Sequence, residues 1–398
     1  MKIKKIVIPI VTAVAVAIGI LAFCLEPWQT VSLPTERTPV KEESVLSGNK
    51  LNDEDFVHWI GRTQYDGERV YCYYTATGFT VNFTGTELKV TFNATNVQSD
   101  KNRPYFIAST DGEVAPEGKS FALTEKTQTV TVAENLSQGA HTVTVLKRSE
   151  PENSLTSVSK IETDGKFDKP AAHTGLKFQI LGGSGISGHG CLGQAGEEWT
   201  TQNSSSLNGF GYLAARAFGA ETQFVSNSGM GLLWGYRGVE NLKTAYEATG
   251  LIAEYNADGS TKAVKATGKW NHASWVPDVV IVNIGGNDWN SHINLLTDTA
   301  RTQAETQFKD AVKELLTRIH TLYPEAKVVW TCNSTRSGNG ALASEAVEKL
   351  DFKDKIALTE ISNAKYGADN HASAATQAEN AKTVADKITA YFGIAQIN

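Results

Sequence analysis

Four short polar blocks stand where apolar or amphipathic runs end or begin. Gly182-Gly183-Ser184-Gly185 follows FQIL (178–181), and Ser226-Asn227-Ser228-Gly229-Met230-Gly231 follows TQFV (222–225). Gly285-Gly286-Asn287-Asp288-Trp289 follows VVIVNI (279–284), and Gly367-Ala368-Asp369-Asn370-His371 precedes the stretch that begins at 373. Together they hold the parts of an acyl-transfer site. A serine hydroxyl attacks a carbonyl only when a base takes its proton, and His371 is the histidine in a loop beside the last amphipathic stretch. The tetrahedral intermediate requires preorganised N–H donors, which the Ser184 amide, the Gly229 amide and the Asn287 side chain can supply. Asp369 and Asp288 are candidates for support. Trp289 is either core or a platform for a sugar ring, and His189, just past the serine, is a candidate for the substrate-facing rim.

The same glycine run also spells Gly183-x-Gly185-x-x-Gly188, the fingerprint of a dinucleotide-binding turn. That turn requires a helix opening at the third glycine and an acid about twenty positions on, at the end of a second strand. Residues 188–206 show no helical period, and no strand ends in Asp or Glu near 205. The G-x-S-x-G nucleophile elbow fails as well, because Ile186 occupies the place of its last glycine.

Two rhythms position these blocks. From 51 to 165, short runs such as FTVNFTG (79–85), TELKVTFNA (86–94), TQTVTVAEN (127–135) and AHTVTVLKR (140–148) alternate apolar and polar residues, with turn residues between them. This pattern predicts an all-β sandwich. From 171 to 398, buried strands at FQIL, TQFV, VVIVNI, KVVWT (327–331) and KIALTE (355–360) alternate with helical stretches at 206–219, 299–323 and 373–393. Phe308, Val312, Leu315, Leu316 and Ile319 keep the 3–4 spacing of one buried helix face. Alternation of this kind predicts a doubly wound α/β domain whose ligands sit at the carboxyl ends of its strands.

The 398 residues suffice for two cores, and a net charge of −6 without a basic patch argues against nucleic acid as a partner. MKIKK followed by the uncharged run 6–25 reads as an export signal or a membrane anchor, so the bulk of the chain is expected outside the cytoplasm, secreted or at the cell surface. Residues 26–50, rich in Pro, Thr, Glu and Ser, read as a linker. Of the four cysteines, Cys24 lies in the signal segment, which leaves Cys72, Cys191 and Cys332. No Cys/His spacing matches a metal site, and no cofactor is expected. Oligomeric state has no signature here.

Taken in order, the four blocks resemble those of the SGNH (GDSL-like) hydrolases. Ser184 matches the block I nucleophile, Gly229 the block II glycine, Gly285, Asn287 and Asp288 the block III G-x-N-D, and His371 the block V base. Gly61-Arg62-Thr63, Asp111-Gly112-Glu113 and His141-Thr142-Val143 with Lys147-Arg148-Ser149-Glu150 look like the jelly-roll of the second carbohydrate esterase family. The resemblance implies a jelly-roll sandwich before a three-layer α/β/α, flavodoxin-like SGNH domain. It further implies a metal-free serine esterase removing O-acetyl groups from polysaccharides such as xylan and glucomannan, with an acetylated carbohydrate as its partner. The imidazole of such enzymes is in some members held by a backbone carbonyl. Gly183 stands where the family has Asp, and Ala368 where an acid often orients the base. The alternatives are a surface carbohydrate-binding relative with impaired catalysis and an esterase for non-carbohydrate esters.

Overall fold

The computed structural model describes residues 43–397 apart from 100, 113, 114 and 363. The expected export segment and most of the linker lie outside the described residues. Among the described residues, no helix is long and apolar enough to cross a membrane.

The β-rich part is a sandwich of two antiparallel sheets. Gly78–Gly85 lies between Lys166–Asp168 and Gly139–Lys147 in one sheet; Leu88–Ala94 lies between Thr156–Thr163 and Thr127–Ala133 in the other. The period-2 pattern decides which side chains meet. Phe79, Val81, Phe83, Val143 and Val145 of one sheet and Val90 and Phe92 of the other point inward and are buried together. One expectation needs correction: the end of the expected linker is structured. Val45–Ser47 pairs with Thr156–Thr163, and Leu46 is buried in the sandwich, so an apolar side chain overrides the polar composition around it.

The second part is built on a five-stranded parallel sheet. In space its strands run Glu221–Ser226, Lys177–Gly182, Val279–Asn283, Lys327–Cys332, Ile356–Glu360, so the first strand in sequence stands second. This is the flavodoxin-like order, and its reversal of direction opens a crevice at the carboxyl ends of the strands around Gly182 and Asn283. Phe308, Val312, Leu315, Leu316 and Ile319 of helix Asp298–Leu322 are buried, as their spacing requires. Helix Ala374–Phe392 packs against Phe210–Arg216, and Asp298–Leu322 against Gly338–Val347.

The antiparallel hairpin Gly250–Tyr255/Thr261–Thr267 was not legible in the sequence. It packs against the sandwich so closely that a Cβ on Gly250 would lie 2.1 Å from the Tyr73 ring. Its turn is held there by Asn96 and Asn102, whose side-chain amides donate to the Gly259 carbonyl at 3.0 and 2.9 Å.

Two arginines singled out in the sandwich face the α/β part. Arg62 is fully buried, donates to the carbonyls of Tyr246 (2.9 Å) and Ala248 (2.6 Å) and to Gln223 (3.2 Å), and lies 4.9 Å from the centre of the Trp270 ring. Arg148 donates to the carbonyls of Thr201 and Gln202. Charge-assisted bonds in a dry interface are worth more than neutral ones, and their loss strands buried carbonyls. Arg62→Ala is therefore expected to cost about 3 kcal/mol and to lower the thermal midpoint by several degrees. Calorimetry checks this, and an unchanged midpoint would show that the contact contributes nothing.

Candidate active site

The nucleophile turn begins where the first parallel strand ends. Gly182 sits so near its neighbour that a Cβ there would lie 2.2 Å from the Asn283 carbonyl oxygen, so only glycine fits. The chain then folds into the single turn Ser184–Ser187. Gly183 leaves a gap lined by the Met230 carbonyl and the Asn287 amide, which a Cβ would approach to 3.0 and 3.3 Å. Those two groups are bonded to each other, Asn287 Nδ2 donating to Met230 O at 2.9 Å. That bond ties the second block to the third at the place where the family has an aspartate.

A cavity of about 580 Å³ gathers Ser184, Gly229, Asn287, His371, His189 and Asp369. Among the described residues, Ser184 Oγ makes no hydrogen bond, and the Ser184 and Gly229 amides donate to none. Gly229 has φ +77°, a conformation in which side chains are strained, and Tyr236 N donates to its carbonyl at 2.7 Å. Asn287 spends one of its two N–H bonds on Met230 and keeps the other. Asp288 is buried and accepts from the amides of Leu232, Leu233 and Trp234 at 2.7, 2.7 and 2.9 Å. Burial pushes its carboxyl up while those amides oppose the shift. Its position is thus at the base of the loop that follows Gly229.

His371 ends a loop closed by Ser373, whose Oγ accepts from Thr376 N at 3.3 Å and caps helix Ala374–Phe392. Its Nδ1 donates to the Asp369 carbonyl oxygen at 2.7 Å, which leaves the lone pair on Nε2. Burial, followed by the charge of His189, holds its pKa below the usual histidine value. The ring therefore stays a free base into mildly acidic solution. The Asp369 carboxylate turns the other way, to His189 Nε2 at 3.1 Å.

His189 lines the cavity as a buried residue. It is 7% exposed, its ring stacks on Trp199 with centroids 5.1 Å apart, and both of its nitrogens are bonded. Trp289 does not line the cavity; it packs on the core with the Arg301 guanidinium 5.1 Å from its ring centre. The helix Gly286–Ser291 turns it away from the crevice that Asn287 faces. Tyr236, 42% exposed, is an aromatic that does line the cavity. Glu150, too, escaped sequence reading as a site residue. It comes from the sandwich, is buried, and accepts from both the amide and the hydroxyl of Ser228, the neighbour of Gly229. Its distance in sequence hides it; only its place in the Lys147-Arg148-Ser149-Glu150 motif of the sandwich signalled it.

Two groupings have metal-like spacing, His189 with Asp369 and His371, and Glu150 with Glu152 and His189. Both include His189, whose nitrogens face Ser228 Oγ and the Asp369 carboxylate. The expected cysteines are buried and unpaired: Cys72, Cys191 and Cys332, with the Cys72 thiol pushed up to about 12 by burial. A hydroxyl, a neutral imidazole and converging N–H donors in one cavity form a set competent for nucleophilic acyl transfer.

Residues 179–392 match the model of the GDSL-like lipase/acylhydrolase family, and residues 59–170 match the carbohydrate esterase 2 N-terminal domain. The chain belongs to the GDSL-like lipase/acylhydrolase family. It is similar to the cellulase/esterase CelE of Acetivibrio thermocellus, 25% identical over 80% of this chain and 37% of that protein. It is also similar to an acetylxylan esterase/glucomannan deacetylase of Cellvibrio japonicus, 28% identical over 46% of this chain and 51% of that one. The chain thus spans between about a third and a half of these relatives. Among solved structures, a family two carbohydrate esterase from Clostridium thermocellum in complex with cellohexaose has a TM-score of 0.69 at 24% identity, covering 85% of this chain and 99% of that one. A family two carbohydrate esterase from Cellvibrio japonicus has a TM-score of 0.72 at 19% identity, covering 88% and 98%. These structures share the fold.

Proposed function

We propose that this GDSL-like protein is an exported carbohydrate O-acetyl esterase acting on acetylated polysaccharides of the xylan and glucomannan type. The observation that carries the reading is the meeting of Ser184, His371, Gly229 and Asn287 in one cavity at the sheet crevice, beside a sandwich of the carbohydrate esterase 2 type. The curated relatives' names, acetylxylan esterase and glucomannan deacetylase, support the substrate class.

In this reading Ser184 Oγ attacks the acetyl carbonyl carbon while its proton passes to His371 Nε2. The Nδ1–H bond to the Asp369 carbonyl fixes the ring's tautomer and steadies the imidazolium that forms. The oxyanion is held by the Ser184 and Gly229 amides and the free N–H of Asn287. Collapse expels the sugar oxygen, which takes the proton from His371 and leaves an acetyl-serine. Water, deprotonated by His371, then releases acetate and restores the serine. Tyr236 offers an exposed aromatic face on which a sugar ring stacks.

The test is acetate release from acetylated xylan and glucomannan oligosaccharides, together with labelling by a serine-reactive phosphonate and mapping of the adduct. Acetate release with the adduct on Ser184 is the expected result. Oligosaccharide binding with neither acetate nor adduct would replace the enzyme by a binding protein, and turnover of simple acyl esters alone would remove the carbohydrate.

A further inference from the structure

His189 lines the cavity and bonds to the segments that carry Ser184, Gly229 and His371. Its own amide donates to the Ser184 carbonyl at 3.3 Å. Its Nδ1 lies 2.9 Å from Ser228 Oγ, beside Gly229, and its Nε2 lies 3.1 Å from Asp369 Oδ2, beside His371. The proton count at these contacts is closed. Ser228 has one hydroxyl hydrogen, and it goes to Glu150 Oε1 at 2.7 Å, so Nδ1 must donate to the serine oxygen. The Asp369 carboxylate is an acceptor only, so Nε2 must donate as well. A ring that donates from both nitrogens is an imidazolium.

The bond to Asp369 falls on a strained backbone. Asp369 and Asn370 both lie in the left-handed region, at φ 50° and 56°, which costs non-glycine residues energy and persists only when the surroundings enforce it. Asp369 N is tied to the Glu197 carbonyl at 3.0 Å, and its side chain to His189. With the residue held at both ends, its carbonyl is left facing His371 Nδ1 at 2.7 Å.

We propose that His189 is a positioning residue for the Ser184–His371 pair. As a buried imidazolium it holds the Asp369 carboxylate so that the Asp369 carbonyl orients the base, and through Ser228 it ties the oxyanion loop to the same point. This rests on the Ser–His reading above. It gives the family's missing acid a different solution: the carboxylate acts on the base indirectly, through the backbone that it anchors. The arrangement also has an electrostatic consequence. The ring centroids of His189 and His371 are 4.4 Å apart, so the fixed positive charge opposes protonation of His371. The groups facing His189 are Glu150, Glu152, Asp369 and His371; those near His371 are His189, Asp369 and Glu150, with Arg237 and Lys365 on the cavity wall. The contacts with Asp369 and Glu150 outweigh burial, which alone would discharge His189, and raise it to about 9.

Two variants have opposite expected effects. His189→Gln removes the positive charge but keeps an amide donor, so the His371 midpoint rises by about one pH unit. Asp369→Asn, at a half-exposed side chain, removes the negative charge and keeps an acceptor for His189, so the midpoint falls by about half a unit. Midpoints are read by NMR of labelled histidines, with His371→Gln assigning the signal and circular dichroism confirming the fold. The acid limb of kcat/KM on 4-nitrophenyl acetate is expected to move with them, and the plateau to fall about 10-fold or more as the base loses its aim. Opposite shifts establish the positioning role, and any other pattern of midpoints overturns it. Absence of Ser184-dependent hydrolysis in the unmodified protein sinks the esterase reading alone, because the NMR midpoints still decide the role of His189.

Discussion

Replacing Ser184 by alanine is expected to lower acetate release by at least about 10⁴-fold. The attacking oxygen is gone, and no other hydroxyl stands in the same place: Ser187 Oγ donates to Ser226 Oγ at 3.0 Å, and Ser228 Oγ is committed to Glu150 and His189. What survives is water attack aided by the oxyanion donors and by His371, which stay in place. Stability should hardly change, because Ser184 Oγ bonds to nothing among the described residues. The measurement is kcat with an acetyl ester alongside thermal unfolding of both proteins. Equal rates for Ser184→Ala and the unmodified protein would end the mechanism, whatever the identity of the sugar.

The second large effect is expected at Asn287. Removing one oxyanion donor costs about 2.7–4 kcal/mol of barrier, so Asn287→Ala should lower kcat by about 10²–10³-fold with little change in KM. The substitution also breaks the 2.9 Å bond to Met230 O, which braces the turn at Gly183, at about 1 kcal/mol of stability. Asn287→Asp separates the two roles. Its carboxylate has the same shape but no hydrogen to donate and a charge that repels the oxyanion, so the rate should fall at least as far. If both variants keep more than about a tenth of the rate, the oxyanion is stabilised elsewhere.

Much of the fold was legible because hydrophobic periodicity is a local signal. The runs at 178–181, 222–225, 279–284, 327–331 and 355–360 all became strands of one parallel sheet, and 299–323 and 373–393 became helices within a residue at each end. Apolar runs bounded by glycine have few alternatives to burial as strands. Other elements were not legible, and two show why. Gly338–Val347 begins with glycines, and its small side chains give no clear face. The hairpin within 250–267 carries charged residues on its exposed positions and owes its place to contacts with Tyr73, Asn96 and Asn102 in the other half of the chain.

The sequence by itself determined which residue types stand at the strand ends, and therefore that Ser184, Gly229, Asn287 and His371 converge at one crevice. This follows because parallel strands present all their carboxyl ends on one edge. Only the tertiary structure decided what supports them. Asp369 and His189 are 180 positions apart, and Glu150 and Ser228 are 78 apart, one of them in each half of the chain. No local pattern encodes such pairs; docking of the sandwich and the left-handed turn at Asp369 create them. The same docking buries His189, a histidine of the glycine run, beside Glu150 of the sandwich. Trp289, next to Asp288 and two positions past Asn287 in sequence, was carried to the far side of a helical turn. Spacing along the chain tells which element a side chain belongs to, and only the packing of elements tells which way it faces.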